Sequence, residues 1–520
     1  LVIVESPSKC QTIAKILATY VKDNSLAYDF QVSSSMGHIR NLPKSDTSKK
    51  KKENQIKPNG KFPYTIAGID LENGYQPEYV LLPGKGPLVK ELQHLAANAE
   101  LVLLATDPDR EGEAIAWHLT QVLDLAPSRY QRVTFTEITP SRILEAVKSP
   151  VELNTNLVHA QETRRVLDRL AGYTVSPVLW KKIAPGLSAG RVQSVGMAMV
   201  VQRERERLCF ETTPYWNIKA VLGKDFSPQG QILRPGSSHK RHLLEGDANE
   251  LVKVLSDAEF TVIQVKSTTR KQQPPQPFKT STLQQEANRR LGMAVQQTMR
   301  VAQQLYEEGL ISYMRTDSTH LSDDAECAIG VSVRGQFGPD RLWVGSSKTK
   351  RKPKDSKFAQ EAHEAIRPAL QPDGIFLEPR YLLQKVALSD QAERLYTMIY
   401  QRTLACRMPP IATNQTSVLI AGVQEGTTAH FRVSGSVVID PGYTLAYCRD
   451  AEEENDEAYL PALREGQILN AGEILAVAHE TQPPPRYNEA SFVKELESLG
   501  VGRPSTYSGI VQILRDRAYV

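Results

Sequence analysis

The chain opens on an apolar run, Leu1 to Val4, of a length that suits a buried strand, and Glu5 ends it at once. Ser6-Pro7 then reads as a helix start, with serine as the cap and proline in the first turn. Ile13, Ile16, Leu17 and Tyr20 follow at helical spacing. Leu101 to Ala105 predicts a second buried strand, which runs straight into acidic residues, and Ala114 to Leu125 reads as helix. Strand, loop and helix, twice, predict an α/β domain with its site at the strand carboxyl ends. From Leu157 to Arg207 the pattern is largely helical, with interruptions expected near Pro177 and Pro185. Strand-like alternation marks Tyr215 to Lys271, and Pro274, Pro275 and Pro277 punctuate the chain after it. A long helix is expected over Ser281 to Glu308, ending at Gly309 as its cap. Leu310 to Met314 reads as a short extended segment. Strand patterns return over Thr413 to Tyr447, and Ala490 to Leu499 is helical again. No internal repeat is visible. The pattern at Val520 is still that of an element, so the natural chain is expected to continue.

Composition adds limits. The 520 residues are enough for several domains, and 40% hydrophobic content is ordinary for a soluble protein. A net charge of +4 does not by itself require a nucleic-acid partner. The basic stretches Lys49 to Lys52 and Lys348 to Lys357 and the acidic run Glu452 to Glu457 read as solvated loops. No apolar run is long enough to span a membrane, and no signal peptide is visible. The first residue is not Met, so a trimmed chain is expected. The five cysteines contain no CxxC pair, which argues against a zinc module within these residues and against a disulfide framework. A reducing cytoplasm fits.

Chemistry concentrates in two places. The first is Thr106-Asp107-Pro108-Asp109-Arg110-Glu111-Gly112-Glu113, where Asp107, Asp109 and Glu111 alternate directly after a strand. Mg²⁺ takes hard oxygen ligands, usually one or two carboxylates plus water and phosphate. Glu5 ends the first strand in the equivalent way and can face the same crevice. The bland alternative is a solvated acidic turn that opens a helix, where carboxylates favour the positive end of the dipole. Glu after one strand and DxD after a later one resembles the Toprim domain, which implies phosphodiester chemistry and nothing narrower.

The second is Gly309-Leu310-Ile311-Ser312-Tyr313-Met314-Arg315-Thr316-Asp317-Ser318-Thr319. A tyrosine hydroxyl titrates near pH 10 and is a poor nucleophile unless activated. In an extended segment Arg315 points the same way as Tyr313, where its guanidinium can stabilise a phenolate and a phosphate. Most of the 19 tyrosines are expected to be half-buried packing residues. The Tyr313 segment resembles the active-site motif of type IA DNA topoisomerases, in the form with Met314, Thr316, Asp317 and Ser318 that bacterial topoisomerase I carries. Further pieces follow in the family's order: Glu5 to Lys9; Gly37-His38-Ile39-Arg40-Asn41-Leu42-Pro43, with Asn41 where Asp is common; Arg164 to Arg169; Leu187 to Ser194; Pro277 to Gln284; Ala362-His363-Glu364-Ala365-Ile366-Arg367-Pro368; Glu489 to Ser491; and Gly500 to Tyr507.

The resemblance implies a multidomain fold of α/β, α and β parts: a toroidal core with a Toprim domain over 1–150, which includes a basic loop near 44–57. A helical DNA-binding domain over 151–210 and 476–520 and a strand-rich arch over 211–274 and 402–475 complete the ring. A mobile domain over 275–401 carries the tyrosine, with crossings at Pro274 to Pro277 and near Arg402. It implies that Tyr313 attacks a phosphate and keeps the 5′ end. Lys9 protonates or positions the leaving 3′ oxygen, and Glu5 shares acid/base or metal work. Asp107 and Asp109, with Glu111 nearby, hold Mg²⁺. Arg164 and His363 contact the scissile phosphate. DNA contacts are implied at His38, Arg164, Arg165, Asp168, Ser188, Ala189, Gly190, Arg191, Val192, Gln193, Arg315, Arg503 and Arg517, with Tyr173 and Trp180 stacking on bases or lying in the core. Arg164 and Asp168, four apart on a helix face, equally suit a structural ion pair. The expected activity is ATP-independent, Mg²⁺-dependent relaxation of negatively supercoiled DNA at single-stranded regions, by a monomer in the cytoplasm on the nucleoid. Gly84-Lys85-Gly86 is only a fragment of a phosphate loop. A Toprim primase or nuclease and a non-catalytic DNA scaffold are the rival classes.

Overall fold

A computed structural model of the chain describes residues 1–25, 29–43, 66–222, 230–233, 242–343, 363–424, 426–447, 460 and 462–520. The three charge runs, the basic loop near 44–57 and Ala362 lie outside these residues.

The first region alternates strands and helices: β1 (Val2–Val4), α1 (Pro7–Asp23), β2 (Val32–Ser34), β3 (Arg40–Asn41), β4 (Ile69–Asp70), β5 (Gln76–Pro77), β6 (Val80–Leu81), α2 (Gly86–Asn98), β7 (Val102–Leu104), α3 (Arg110–Val122), β8 (Tyr130–Arg132) and α4 (Pro140–Lys148). Its main sheet has the order β2-β1-β7-β8 and is parallel throughout. All three residues of β1 and of β7 are buried, as fits a sheet covered on both faces. The chain leaves β1 in one direction and β7 in the other. The crevice between their carboxyl ends is therefore a topological switch point, and Glu5 and Asp107 follow the two strands there. As expected from Ser6-Pro7, Ser6 caps α1 and its hydroxyl accepts the Lys9 N–H.

Two long helices follow, α5 (Thr155–Lys182) and α6 (Gln193–Leu208). The expected break at Pro177 is absent: α5 runs through it. Proline removes one helical hydrogen bond, at about 3 kcal/mol, and the turns on either side outlast that loss. The real interruption is 183–192. The strand-rich region contains β9 (Pro214–Leu222), β10 (Gly230–Ile232), α7 (Glu245–Ser256) and β11 (Glu259–Gln272), so a helix not foreseen from the alternation divides it. The expected single helix over Ser281 to Glu308 is two, α8 (Thr280–Leu291) and α9 (Val295–Glu307). Gly292 ends α8 at φ 65°, a left-handed conformation that costs glycine little. Then come α10 (Asp323–Phe337), α11 (Pro379–Lys385) and α12 (Asp390–Ala405), β12 (Ile411–Gln424), β13 (Thr427–Asp440), β14 (Ile468–Leu469), β15 (Ala471–Glu480), α13 (Glu489–Ser498) and α14 (Tyr507–Asp516).

The second sheet has the order β14-β11-β12-β13-β10-β9-β15. Its core alternates along the strands, with Ile218, Ala220 and Leu222 meeting Phe260, Val262, Val418, Ile420, Phe431 and Val433. β11 and β12 pair antiparallel from Glu259↔Val423 to Gln272↔Ile411. Everything between Gln272 and Ile411, including α8 to α12 and Tyr313, is thus an insertion carried on a two-stranded stalk. Arg402 lies inside α12 and donates to the Gln276 carbonyl (2.7 Å), tying the incoming chain to the outgoing helix.

In the first region β3 and α3 meet through Arg40 and His118. Arg40 Nε and Nη2 lie 3.1 and 2.9 Å from His118 Nδ1, and a guanidinium only donates, so Nδ1 accepts and the ring is neutral. Burial first, then the Arg40 charge, pull His118 down to about 3. An unfolded histidine takes its proton near pH 6.5, so this contribution is complete above that pH and is lost as pH falls toward 3. Between pH 7 and 5 the loss is on the order of 2 kcal/mol. His118→Asn keeps an acceptor and removes the titration. Urea unfolding at both pH values is expected to show a smaller gap for the variant than for wild type; equal gaps would refute the assignment.

Candidate active site

The crevice above β1 and β7 is organised by cations. Lys9, one turn into α1, is fully buried, because its side chain turns inward between two carboxylates. Its Nζ is 2.7 Å from Glu5 Oε1 and bonds Asp107 Oδ1, and it lies 5.3 Å from the centre of the Tyr306 ring. Burial alone would lower the ammonium, but the charges of Asp107 and Glu5 outweigh it and hold Lys9 above its ordinary value. Burial, and then the Glu5 charge, push Asp107 up to about 7 against the pull of Lys9. Glu5 goes the other way: burial would raise it, but hydrogen bonding with Asp107 and the Lys9 charge keep it low.

Asp109 opens α3. Its Oδ1 accepts the Gly112 N–H (2.8 Å) and so caps the helix, as a solvated acidic turn would. Its Oδ2 accepts the Tyr313 hydroxyl (2.5 Å) and Arg315 Nη1 (3.3 Å). The helix cap and the carboxylate that meets Tyr313 and Arg315 are thus one residue. Arg315 reaches the same Asp109 oxygen as Tyr313, although the expected extended segment is bridged only at Ile311 and bends at Met314. Tyr313 is buried, and its hydroxyl stands well above the ordinary value because of burial first and then Asp109 and Asp107, with Arg315 opposing. The guanidinium therefore does not make a phenolate in this arrangement; Tyr313 is a neutral donor to Asp109. The His363 ring packs 5.8 Å from the tyrosine ring, centre to centre, and Tyr306 meets its other side edge-on at 5.3 Å.

Glu111, one helical residue beyond Arg110, lines the same cleft but has partners of its own. Its Oε2 accepts Gln161 Nε2 (3.1 Å) and lies 3.3 Å from His38 Nε2. Burial would raise it, but His38, then Gln161 and Arg164, bring it down to about 2. A cleft of about 640 Å³ opens beside these groups, lined by Glu5, His38, Asp107, Glu111, Arg164 and Arg315. Arg300 and Gln303 of α9 line it too, residues that sequence reasoning missed because exposed polar positions on a helix carry no signal. Arg503 joins Asp109 and Arg315 around a smaller pocket.

The expected metal set is not a closed cage. Among the described residues no group of three acidic, His or Cys side chains converges as metal ligands. The reason is visible: Lys9 stands between Glu5 and Asp107, Asp109 serves Tyr313 and Arg315, and Glu111 serves His38. The donor chemistry of Asp107 and Asp109 still fits a hard ion that completes its shell with water and phosphate.

The remaining expected residues sit along α5 and its exit. Arg164 Nε is 3.8 Å from Asp168, and Arg191 Nε donates to Asp168 (3.1 Å). Arg165 Nε donates to Asn41 Oδ1 (3.1 Å). Tyr173 and Trp180 are 43% and 49% exposed, which removes the core alternative for both. In the Ser188 to Gln193 segment the N–H groups of Ser188, Ala189 and Gly190 donate to the hydroxyls of Tyr519, Ser176 and Ser194. Gln193 Nε2 turns to the Ser188 hydroxyl (3.4 Å), and Val192 precedes α6 without a side-chain cap. Arg517 donates to the Gly186 carbonyl (3.0 Å).

Comparison with known proteins gives the same outline. A family model described as "DNA topoisomerase" matches residues 152–520, and one for the Toprim domain matches residues 1–138. DNA topoisomerase 1 of Synechocystis is 44% identical over all of this chain, and that of Pseudomonas aeruginosa is 42% identical. The chain spans 57% and 59% of the length of these two relatives. The structure of full-length topoisomerase I from Thermotoga maritima superposes with a TM-score of 0.79 at 35% identity, covering all of this chain and 78% of that one. With a Toprim crevice, an arch sheet and a stalk-borne tyrosine meeting at Asp109, the chain belongs to the type IA DNA topoisomerases, with the toroidal core of the bacterial topoisomerase I branch.

Proposed function

We propose that this chain cuts one DNA strand by forming a 5′-phosphotyrosine at Tyr313 and reseals it, and so relaxes negatively supercoiled DNA without ATP. The observation that carries this reading is the 2.5 Å hydrogen bond from the Tyr313 hydroxyl to Asp109, made across two bodies 204 residues apart in sequence. A strand lying in the cleft would place a phosphate beside Arg315 and Arg164. Tyr313 Oη attacks phosphorus, its proton moves along the existing bond to Asp109 Oδ2, and the bond from phosphorus to the 3′ oxygen breaks. Arg315 and Arg164 face the charge that builds on the phosphate. Lys9, held charged, hydrogen-bonds the leaving 3′ oxygen and passes it a proton as the bond breaks, and it takes that proton back when the strand is resealed. His363 packs the tyrosine ring in place. Resealing is the reverse, and the phosphodiester energy stays in the protein link throughout. Mg²⁺, held by Asp107 and Asp109, would add positive charge at the phosphate when bound. The DNA substrate, monomeric action and a nucleoid location belong to the same reading; no helix among the described residues is long and apolar enough to cross a membrane.

Three outcomes test it. A 3′-labelled single-stranded oligonucleotide should become covalently attached to the wild-type chain, and Tyr313→Phe should leave no adduct on a denaturing gel; an adduct with the variant would refute the nucleophile. EDTA should abolish relaxation of a negatively supercoiled plasmid while single-strand binding persists, and unaltered relaxation would rule out the metal requirement. Lys9→Ala should slow adduct formation by about 10²-fold or more with little change in strand affinity. A wild-type rate would remove Lys9 from the reaction.

A further inference from the structure

One buried charge cluster lies beside the site and is not used by the chemistry above. Arg367 and Glu137 are both fully buried. Arg367 Nη2 bonds Glu137 Oε1 and also Glu364 Oε2, while Nε donates to Glu364 (3.0 Å) and Nη1 to the Pro368 carbonyl (3.0 Å). The second oxygen of Glu137 accepts the Leu370 N–H (3.0 Å). Glu137 belongs to the Toprim end of the chain; Arg367, Glu364 and Leu370 belong to the stalk-borne body.

The cluster is wired to Tyr313 through backbone. The Arg367 carbonyl accepts the Ser312 N–H (2.9 Å), the Arg367 N–H donates to the Ser312 hydroxyl (3.0 Å), and that hydroxyl donates to the Ala365 carbonyl (2.9 Å). Tyr313 N–H itself donates to the carbonyl of Thr136, the residue before Glu137 (2.8 Å). Gly309 approaches so closely that a Cβ there would lie 2.4 Å from the Ile138 carbonyl. Residues 136–138, 309–313 and 364–370 are thus one junction, and no covalent link joins its two sides except through the arch.

We propose that Glu137 and Arg367 form a re-makeable latch that registers Tyr313 on Asp109 when the two bodies close. This rests on the reading that the stalk-borne body leaves the Toprim domain while the strand is cut. The second carboxylate makes the latch reversible. A buried guanidinium stripped of its partner is strongly unfavourable, but Glu364, three residues away on the same body, stays with Arg367 when Glu137 departs. Opening then costs the exchange of Glu137 for water rather than an orphaned charge. Closing restores the two bonds that Glu137 makes to the other body, and with them the register of the Tyr313 segment. Glu137 and Arg367 are positioning residues; neither touches the reacting atoms.

Glu137→Gln keeps the shape and an acceptor and removes the charge; Glu364→Gln removes the partner that stays behind. The full chain would carry spin labels at Lys148→Cys on α4 and Val331→Cys on α10, with Cys209, Cys327 and Cys448 replaced. These helices face each other through the Arg142–Asp324 pair (2.8 Å). Pulsed dipolar spectroscopy reads the long-distance, open fraction. Glu137→Gln should raise it roughly tenfold, the size of one hydrogen bond to a charged group. Oligonucleotide cleavage and resealing should slow together while strand affinity holds. Glu364→Gln should leave the open fraction and both rates no higher than wild type. A wild-type distance distribution in Glu137→Gln, or identical behaviour of the two variants, would overturn the latch. If the wild-type chain forms no adduct, the topoisomerase reading fails, and the distance measurement still decides the latch.

Discussion

Everything at this site depends on how the two oxygens of Asp109 are divided. One closes the first turn of α3 and so belongs to the Toprim fold; the other holds the hydroxyl of Tyr313 and the guanidinium of Arg315. A single carboxylate, rigid because a helix needs it, is the reference point against which a separately carried tyrosine is placed. The cap supplies precision that a loop carboxylate would lack, since moving the side chain would also unsatisfy a buried backbone N–H. The path of the chain around Met314 matters for the same reason: it lets both Tyr313 and Arg315 reach one oxygen.

Around that point the crevice solves a charge problem. Glu5 and Asp107 end adjacent parallel strands, which brings two carboxylates together out of water. Lys9 answers with an ammonium buried between them, and Asp107 drifts toward neutrality because burial and Glu5 exceed what Lys9 returns. The same groups that would receive a divalent ion are therefore already balanced by a protein cation. A phosphate entering the cleft meets an array whose positive members, Lys9, Arg164 and Arg315, are already fixed by carboxylates rather than free to collapse onto one another.

Much of this was legible beforehand, and the boundary is physical. Short apolar runs broken by Glu5 and by Thr106-Asp107 placed the strand ends, because a fully buried parallel strand has no other way to be written. Ser6-Pro7 gave the cap, and the spacing of Tyr313 and Arg315 gave their shared direction. What failed was whatever depends on tertiary cost. Pro177 looked like a break but its lost bond is outweighed by the rest of α5. Gly292 looked tolerable inside a helix, yet its left-handed conformation ends one. Lys9 lies fully buried between Glu5 and Asp107, and no periodicity announces that burial. No local pattern announces the hydroxyls that reach the N–H groups of Ser188 to Gly190 from Ser176, Ser194 and the distant Tyr519. Arg367 was an ordinary member of its motif and Glu137 belonged to none until the fold put them, 230 residues apart in sequence, in contact.

The stalk has a consequence of a different kind. Gln272 and Ile411 are paired neighbours in the arch sheet, so the entire tyrosine-bearing insertion begins and ends at almost one point. Such an insertion is modular: joining β11 to β12 by a tight hairpin turn would close the arch without asking any strand to move. The product would keep the switch-point crevice, α5 and the arch, and would lack every group that can bond covalently to DNA through Tyr313. In architectural terms Tyr313 rides on an attachment whose two ends meet at the arch, while its body shares one buried core with Val4, Phe135 and Ile138 of the Toprim end.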